Sequence, residues 1–439
     1  MSRRFGPCYP EAVTQDKERA ISSPAPASHT RNVIQIGIAF ALAAPAPVLR
    51  TLELAGVLHL GLPSLAQSVL FGISIFAAAT LLVWAAEVAE QMISAMLALA
   101  VLAIIAVLPE YAVDLYFAMT AHTTPEHAHF ALANMTGANR LLVGFAWPLV
   151  FFIFWYRQRS SELKVGDQNG LGLVFLAAAT LYNFSIPLRR NLSLIDGGVL
   201  ITLFLAYLLL SSRTPPAEEA ELVGPARSIG ALPKRWRWAA VIGLFGFAAG
   251  TVLAAAEPFA NGLVDTGQSF GINKFLLVQW VAPIASEAPE FILAAMLALR
   301  GRAQAGLTLL VASEVNQWTF LVGSLPIAYS AAGSTLSPLH MDGQQAAEVF
   351  LTGAQALFAV AVLMSLSLSN REAGLMFALF AGQLVLPFTE ARLAFGALFM
   401  LLALWWFVSE RGEIPSLLRT TRRELLQPSV VGASRERGP

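Results

Sequence analysis

Residues 106–115 read AVLPEYAVDL, and residues 284–297 read IASEAPEFILAAML. Each places a Pro-Glu step, Pro109-Glu110 or Pro289-Glu290, inside a long apolar run. A carboxylate at the centre of a bilayer costs about 2.5–3.5 kcal/mol on insertion scales, so it faces an interior cavity and keeps a partner or an ion. Proline has no N–H and removes the helical hydrogen bond to the residue four back. That loss frees carbonyls such as those of Ile105 and Ala285 beside the carboxylates. A carboxylate among loosened carbonyls suits hard cations, which take oxygen ligands. One copy alone would equally fit a proline kink whose glutamate is capped by a neighbouring helix; two matched copies favour an ion site.

The rest of the chain supports a membrane setting. Of 439 residues, 56% are hydrophobic and 13% charged, against about 25% charged in soluble domains. Mean hydropathy is +0.63. Twenty-eight basic residues balance 28 acidic ones, which gives no electrostatic reason to expect a nucleic-acid partner. Cys8 is the one cysteine, so no intrachain disulfide and no thiolate metal site can form. No phosphate-binding, nucleophile-elbow, zinc-protease or dinucleotide motif occurs, so no cofactor and no enzymatic activity are expected. An intramembrane hydrolase would need histidine, serine or metal at depth, and all six histidines fall in tails, loops or span ends.

A helix rises about 1.5 Å per residue, so a span takes roughly 20 residues. Twelve spans are predicted: 33–49, 68–93, 96–119, 129–155, 171–187, 194–211, 237–262, 273–299, 305–330, 348–368, 371–388 and 391–408. LHLGLPSLAQ at 58–67 reads as a loop or interfacial piece. The predicted class is an all-α integral membrane protein. Basic residues gather in the N-terminal tail, in the loop holding Arg157, Arg159 and Lys164, in the linker, beside Arg300 and Arg302, and in the C-terminal tail. The positive-inside rule then puts both termini in the cytoplasm, with the inner cell membrane as the location and lipid as the surrounding partner.

The Pro-Glu echo extends into a repeat. ANMTGANRLLVG (133–144) aligns without a gap to ASEVNQWTFLVG (312–323), and WAAEVAEQM around Glu87 to LAAAEPFANGLV around Glu257. LIDGGVLITLFLAYLLL (194–210) matches EAGLMFALFAGQLVL (372–386) loosely. Five spans per copy invert the second copy, an architecture typical of secondary transporters with sites at the repeat interface. The division is a polar tail at 1–32, an extra N-terminal helix and loop at 33–67, the first repeat at 68–211 and a linker at 212–236. The second repeat takes 237–388, an extra helix 389–410, and a tail 411–439.

On these segments the chain resembles the calcium/cation exchanger superfamily, which includes the sodium/calcium exchangers. Its GTSLPE type of segment corresponds to IAVLPE (105–110) and ASEAPE (285–290), and its GNxxGSNxxN type to ANMTGANRLL (133–142) and ASEVNQWTFL (312–321). The resemblance implies an antiporter moving Ca2+ or a related cation against Na+ or H+, with Glu110 and Glu290 holding the cation. Departures are specific. Ala106, Val107, Ser286 and Glu287 stand at the hydroxyl positions, Ala138 and Gln317 at the serine, and Leu142 and Leu321 at the last asparagine. With sodium-site ligands missing, proton exchange is as reasonable as sodium exchange.

Polar residues nearby complete the candidate set. Asp114 follows Glu110 by four residues and Glu287 precedes Glu290 by three, each on the same helical face. Glu314 and Gln317 are three apart, and Asn134, Asn139, Ser313 and Asn316 add neutral ligands. Arg140 lies mid-span, either as a fixed charge paired with Asp114 or Glu287 or as half of a structural ion pair. Glu87 and Glu257 either line a vestibule or snorkel to the interface. His122, Glu126, His127 and His129 could hold a metal but read better as a solvated loop. The missing ligands also leave open a non-transporting homologue that senses ions or acts as a scaffold. Oligomeric state is not encoded in these patterns.

Overall fold

The computed structural model describes residues 26–57, 61–89, 91–93, 107–166, 169–211, 222, 224–271, 283–284, 287–386 and 388–426. They form a helical bundle with two pairs of very short strands. The expected first span is two helices, α1 (Pro26–Ala43) and α2 (Pro45–Leu54). Pro45 and Pro47 cannot continue the hydrogen bonding of the preceding turn, which breaks the span at Ala44. Then α3 (Ser64–Ala89) begins four residues earlier than expected, so the stretch at 58–67 is partly helical. Pro63 supplies the carbonyl that accepts the Gln67 N–H, which lets the helix start behind it.

The described part of the third span is α4 (Leu108–Thr120). A continuous helix follows as α5 (Glu126–Leu141), a π-helical turn at Leu142–Ala146, and α6 (Trp147–Gln158). β1 (Glu162–Lys164), α7 (Asn169–Asn183), α8 (Ser185–Arg189), β2 (Asn191–Leu192) and α9 (Leu194–Ser211) complete this half. After the short α10 (Pro225–Gly230), the second half runs α11 (Lys234–Ser269), α12 (Ala288–Leu299), α13 (Ala303–Asn316), a π-helical turn at Gln317–Leu321, and α14 (Val322–Gly333). β3 (Leu339–His340), α15 (Gly343–Leu363), β4 (Ser367–Ser369), α16 (Asn370–Val385), α17 (Thr389–Ser409) and α18 (Ile414–Leu426) close the chain.

Among the described residues, eight helices are long and apolar enough to cross a membrane. Two further expected spans, 96–119 and 273–299, lie partly outside the described residues. The spans expected at 305–330 and 371–388 are present as α13–α14 and α16. The first is interrupted by polar residues, and the second is only 16 residues long.

The strands, which periodicity did not foretell, register the two halves. β1 pairs antiparallel with β4, Glu162 opposite Ser369, and β2 pairs with β3, Asn191 opposite His340. β1 precedes the fourth long helix of the first half and β4 follows that of the second; β3 and β2 repeat this arrangement with the halves exchanged. The two sheets therefore swap under an inverted two-fold. The first long helices, α3 and α11, lie antiparallel. A Cβ on Gly262 would sit 2.6 Å from Ser68 Oγ and 3.0 Å from the Ser64 carbonyl.

Packing is close where α12 meets α13. A Cβ on Gly306 would lie 2.8 Å from the Ala294 carbonyl oxygen, a backbone atom that cannot rotate away. The backbones approach this closely because Gly306 has no side chain.

A second feature binds α5 to the C-terminal half. Arg140 Nη1 lies 2.6 Å from Glu348 Oε2 on α15, and Arg392 on α17 pairs with the other Glu348 oxygen. Gln355 Nε2 donates to the Arg140 carbonyl at 3.0 Å, and Gln383 Nε2 donates to Gln355 Oε1 at 2.9 Å. All five side chains are buried. Of the two readings of Arg140, the structure gives the structural ion pair between helices, and the partner is Glu348 in place of Asp114 or Glu287. The sequence pattern puts Glu348 at a span terminus, whereas α15 starts at Gly343 and carries it into the bundle.

Two outcomes follow for stability. Glu348→Ala, which leaves two buried guanidinium groups without their shared carboxylate, should cost about 3–5 kcal/mol in thermal unfolding of the detergent-solubilised protein. Added salt should not reproduce the loss, because buried pairs are screened little. Gly306→Val should cost about 1–3 kcal/mol through overpacking against the α12 backbone, read in the same assay.

Candidate cation site

Both Pro-Glu steps sit at helix starts. Pro109 and Pro289 occupy the first turns of α4 and α12, with Val107 and Glu287 as the N-cap residues. Proline is at ease there, since the N–H it lacks has no intrahelical partner in any case. The expected freeing of carbonyls 105 and 285 concerns residues outside the described set. The described geometry adds a reason for the glutamates: Glu110 and Glu290 lie in the first turns, where the positive end of the helix dipole favours a carboxylate.

The carboxyl groups converge. Glu110, Asp114, Glu290 and Glu314 all lie close enough to Glu287 to feel its charge, and Glu110 also feels Asp114 and Glu290. All five are fully buried. Neutral neighbours hold some oxygens in place. Asn134 Nδ2 donates to Asp114 Oδ1 at 2.8 Å, Ser313 Oγ to Glu290 Oε1 at 2.8 Å, and Gln317 Nε2 to Glu287 Oε1 at 2.9 Å. With the acids ionised, both Glu110 oxygens, Asp114 Oδ2, Glu287 Oε2 and Glu290 Oε2 are buried with no donor among the described residues, as are Asn134 Oδ1, Asn139 Oδ1 and Gln317 Oε1. Such a surplus of buried acceptors is what a cation or a set of protons satisfies. No three His, Cys, Asp or Glu side chains among the described residues form a metal cage by themselves, so neutral oxygens would have to complete a coordination shell.

The sequence-predicted residues divide as follows. Glu110, Asp114, Asn134, Glu287, Glu290, Ser313, Glu314 and Gln317 are drawn together. Asn139 points one amide N–H back to the Met135 carbonyl at 2.8 Å and leaves its oxygen free. Asn316 accepts a 2.8 Å hydrogen bond from the Tyr111 hydroxyl, a contact between the two halves that the sequence did not single out. Its one signal was a polar tip directly after Glu110. Arg140 is diverted to Glu348.

The histidines do not share a centre. His122 meets the Tyr329 carbonyl, His127 Nδ1 lies 2.6 Å from Thr120 Oγ1, and His129 Nδ1 lies 3.4 Å from Asp342 Oδ2.

The π-helical turns frame the site from both halves. In each, a backbone N–H reaches the carbonyl five residues back: Trp147 to Leu142, and Val322 to Gln317. A π turn shifts the carbonyl pattern and is frequent at functional sites. An amide of the opposite half caps each region, Gln355 on the Arg140 carbonyl and Asn183 Nδ2 on the Trp318 carbonyl at 2.9 Å.

Comparison with known proteins places this geometry. The crystal structure of the H+/Ca2+ exchanger CAX is 40% identical, superposes with a TM-score of 0.84, and covers 90% of this chain and 99% of its own. The sodium-calcium exchanger NCX_Mj shares the fold at 17% identity and a TM-score of 0.52, covering 74% of this chain and 97% of its own. Native YfkE does so at 18% and 0.56, covering 80% and 98%. Comparison with curated proteins gives no match. The profile described as sodium/calcium exchanger protein matches residues 63–213 and 240–389, the two halves related by the inverted two-fold. The chain therefore belongs to the sodium/calcium exchanger protein family of membrane cation transporters, all-α proteins with inverted repeats.

Proposed function

We propose that the protein exchanges Ca2+ for H+ by alternating access, with the cation held between Glu110 and Glu290 at the junction of the repeats. The carrying observation is the buried cluster of five carboxyl groups whose surplus oxygens meet no donor among the described residues. Two like charges about 4 Å apart repel by about 4 kcal/mol at an effective dielectric of 20. Five ionised acids in one site are therefore untenable without compensation. Ca2+ neutralises two charges; protons neutralise the remainder, and replace the cation when it leaves. Exchange follows from charge balance.

Three features favour the proton over sodium. The neutral hydroxyl and amide positions of the family motif are replaced by Ala106, Val107, Ala138, Leu142 and Leu321, or by ionisable Glu287. Trp318 fills the second asparagine position as a fully buried indole. The 40% identical relative is an H+/Ca2+ exchanger. Asp114 and Glu287 belong to the same site in this reading, with Asn134, Ser313 and Gln317 orienting them, and Asn139, Asn316 and Glu314 supplying further oxygens. Orientation with both termini in the cytoplasm of the cell's inner membrane completes it.

The test is Ca2+ uptake into vesicles containing the purified protein. An imposed pH gradient should drive accumulation that a Na+ gradient does not. Glu110→Gln and Glu290→Gln should each lower the initial rate at least about tenfold, the equivalent of about 1.4 kcal/mol. Wild-type rates in both variants would remove the site assignment; Na+-driven uptake would replace the proton. Ca2+ binding without flux would leave an ion sensor.

A further inference from the structure

The first long helix of each repeat carries a glutamate outside the carboxyl cluster. Ala85-Ala86-Glu87 on α3 matches Ala255-Ala256-Glu257 on α11. Both glutamates stand 23 residues into their helices, counted from Ser64 and Lys234, about 35 Å along the axis at 1.5 Å per residue. Because α3 and α11 are antiparallel, with Ser64 and Ser68 beside Gly262, the two glutamates lie towards opposite faces of the bundle.

Each glutamate meets an arginine from another helix. Arg300, at the C-cap of α12, pairs with Glu87. Arg50, on α2, pairs with Glu257 and is steadied by Glu53 Oε2 at 2.9 Å. These pairs are half-buried at the rims of the bundle, where desolvation strengthens them beyond an exposed ion pair.

The placement gives each pair leverage on the site. α12 is a single rigid helix with Glu290 in its first turn and Arg300 capping its end. Moving Arg300 therefore moves Glu290, and the Glu87 contact fixes α3 against that movement. At the other face Glu257 immediately precedes Pro258, the one proline inside α11. A proline there loosens the helix at the point where Arg50 holds it.

We propose that Glu87–Arg300 and Glu257–Arg50 are two latches, one at each membrane face, that must open in turn for the bound cation to reach either side. The glutamates are positioning residues and never touch the ion. Their pairing is equivalent by the repeat, yet their arginines are not: the repeat mate of Arg300 is Thr120, and Arg50 comes from a helix that precedes the repeats. The Glu87–Arg300 latch grips a site helix directly, whereas the Glu257–Arg50 latch grips an added one. The proposal rests on the exchange reading for its alternation, and not on which counter-ion is used.

Cys8→Ser removes the chain's one cysteine and permits a clean test. In that background, Glu87→Cys with Arg300→Cys, and separately Arg50→Cys with Glu257→Cys, are reconstituted in vesicles and bridged with a bifunctional thiosulfonate. Bridging either pair should lower Ca2+ flux at least about tenfold, with recovery on adding dithiothreitol and no loss from a monofunctional reagent. Bridging rates should also be reciprocal: conditions that speed bridging at 87–300, with saturating Ca2+ or with acid and no Ca2+, should slow it at 50–257. Full flux with a bridge verified by mass spectrometry would overturn the latches, and so would rates that rise and fall together. As a folding-independent check, Glu87→Arg combined with Arg300→Glu should transport faster than either single change; no recovery would argue against the pair. Should flux follow Na+ instead of pH, the proton reading falls, and the bridging effect is read on the Na+-driven flux.

Discussion

Five buried acids with no basic neighbour among the described residues constrain the whole bundle. Their charge cannot be left in hydrocarbon without a partner, an ion or a proton. Two sources of stabilisation are built in: helix starts at Pro109 and Pro289 that aim positive dipole ends at Glu110 and Glu290, and amide or hydroxyl donors from Asn134, Ser313 and Gln317. Arginines are kept elsewhere. Arg140 and Arg392 are engaged by Glu348, Arg300 by Glu87, Arg50 by Glu257, and Arg189 by Asp196 at 2.6 Å. A guanidinium close to the cluster would satisfy its oxygens permanently and leave nothing for a mobile ion to do. Dedicated acidic partners for the arginines and an undedicated acidic cluster are two sides of one arrangement.

The inverted two-fold explains where the parts come from. It exchanges the strand pairs, the Pro-Glu helices, the π-turn helices and the paired glutamates of α3 and α11. It is broken at chosen points. Asp114 has Ala294 as its mate, so this carboxyl group is present in one half only. Glu287 has Val107 as its mate, and Tyr111 has Phe291, so the hydrogen bond to Asn316 exists in one sense only.

Much of this was legible from the chain because it rests on local chemistry. Pro-Glu inside an apolar run, a gapless echo at 133–144 and 312–323, and an AAE repeat are short-range patterns that survive without coordinates. What was not legible depended on helix starts and on distant partners. Placing the fourth helix of the second repeat at 348 instead of 343 turned Glu348 into a terminal residue and hid the partner of Arg140. Treating Pro109 as a mid-helix break missed that it opens α4. The strand pairs were invisible because two or three residues carry no periodicity. Tyr111 and Gln355 act across the repeats, and nothing in their own neighbourhood announces it.

The broken symmetry has a thermodynamic meaning for an exchanger of this design. Two identical inverted halves would make the states open to either face equal in energy, since the two-fold rotation converts one into the other. Every asymmetric contact then contributes to the difference between them. The Arg140–Glu348–Arg392 cluster joins α5 of the first half to α15 and the added helix α17, and Arg50 ties the second-half first helix to α2. A shift of about 1.4 kcal/mol between two states changes their ratio tenfold, and a ligand can move that balance only by binding the two unequally. On the proposed exchange reading, the helices outside the repeats would bear on transport through the balance of states, with no need to touch the ion.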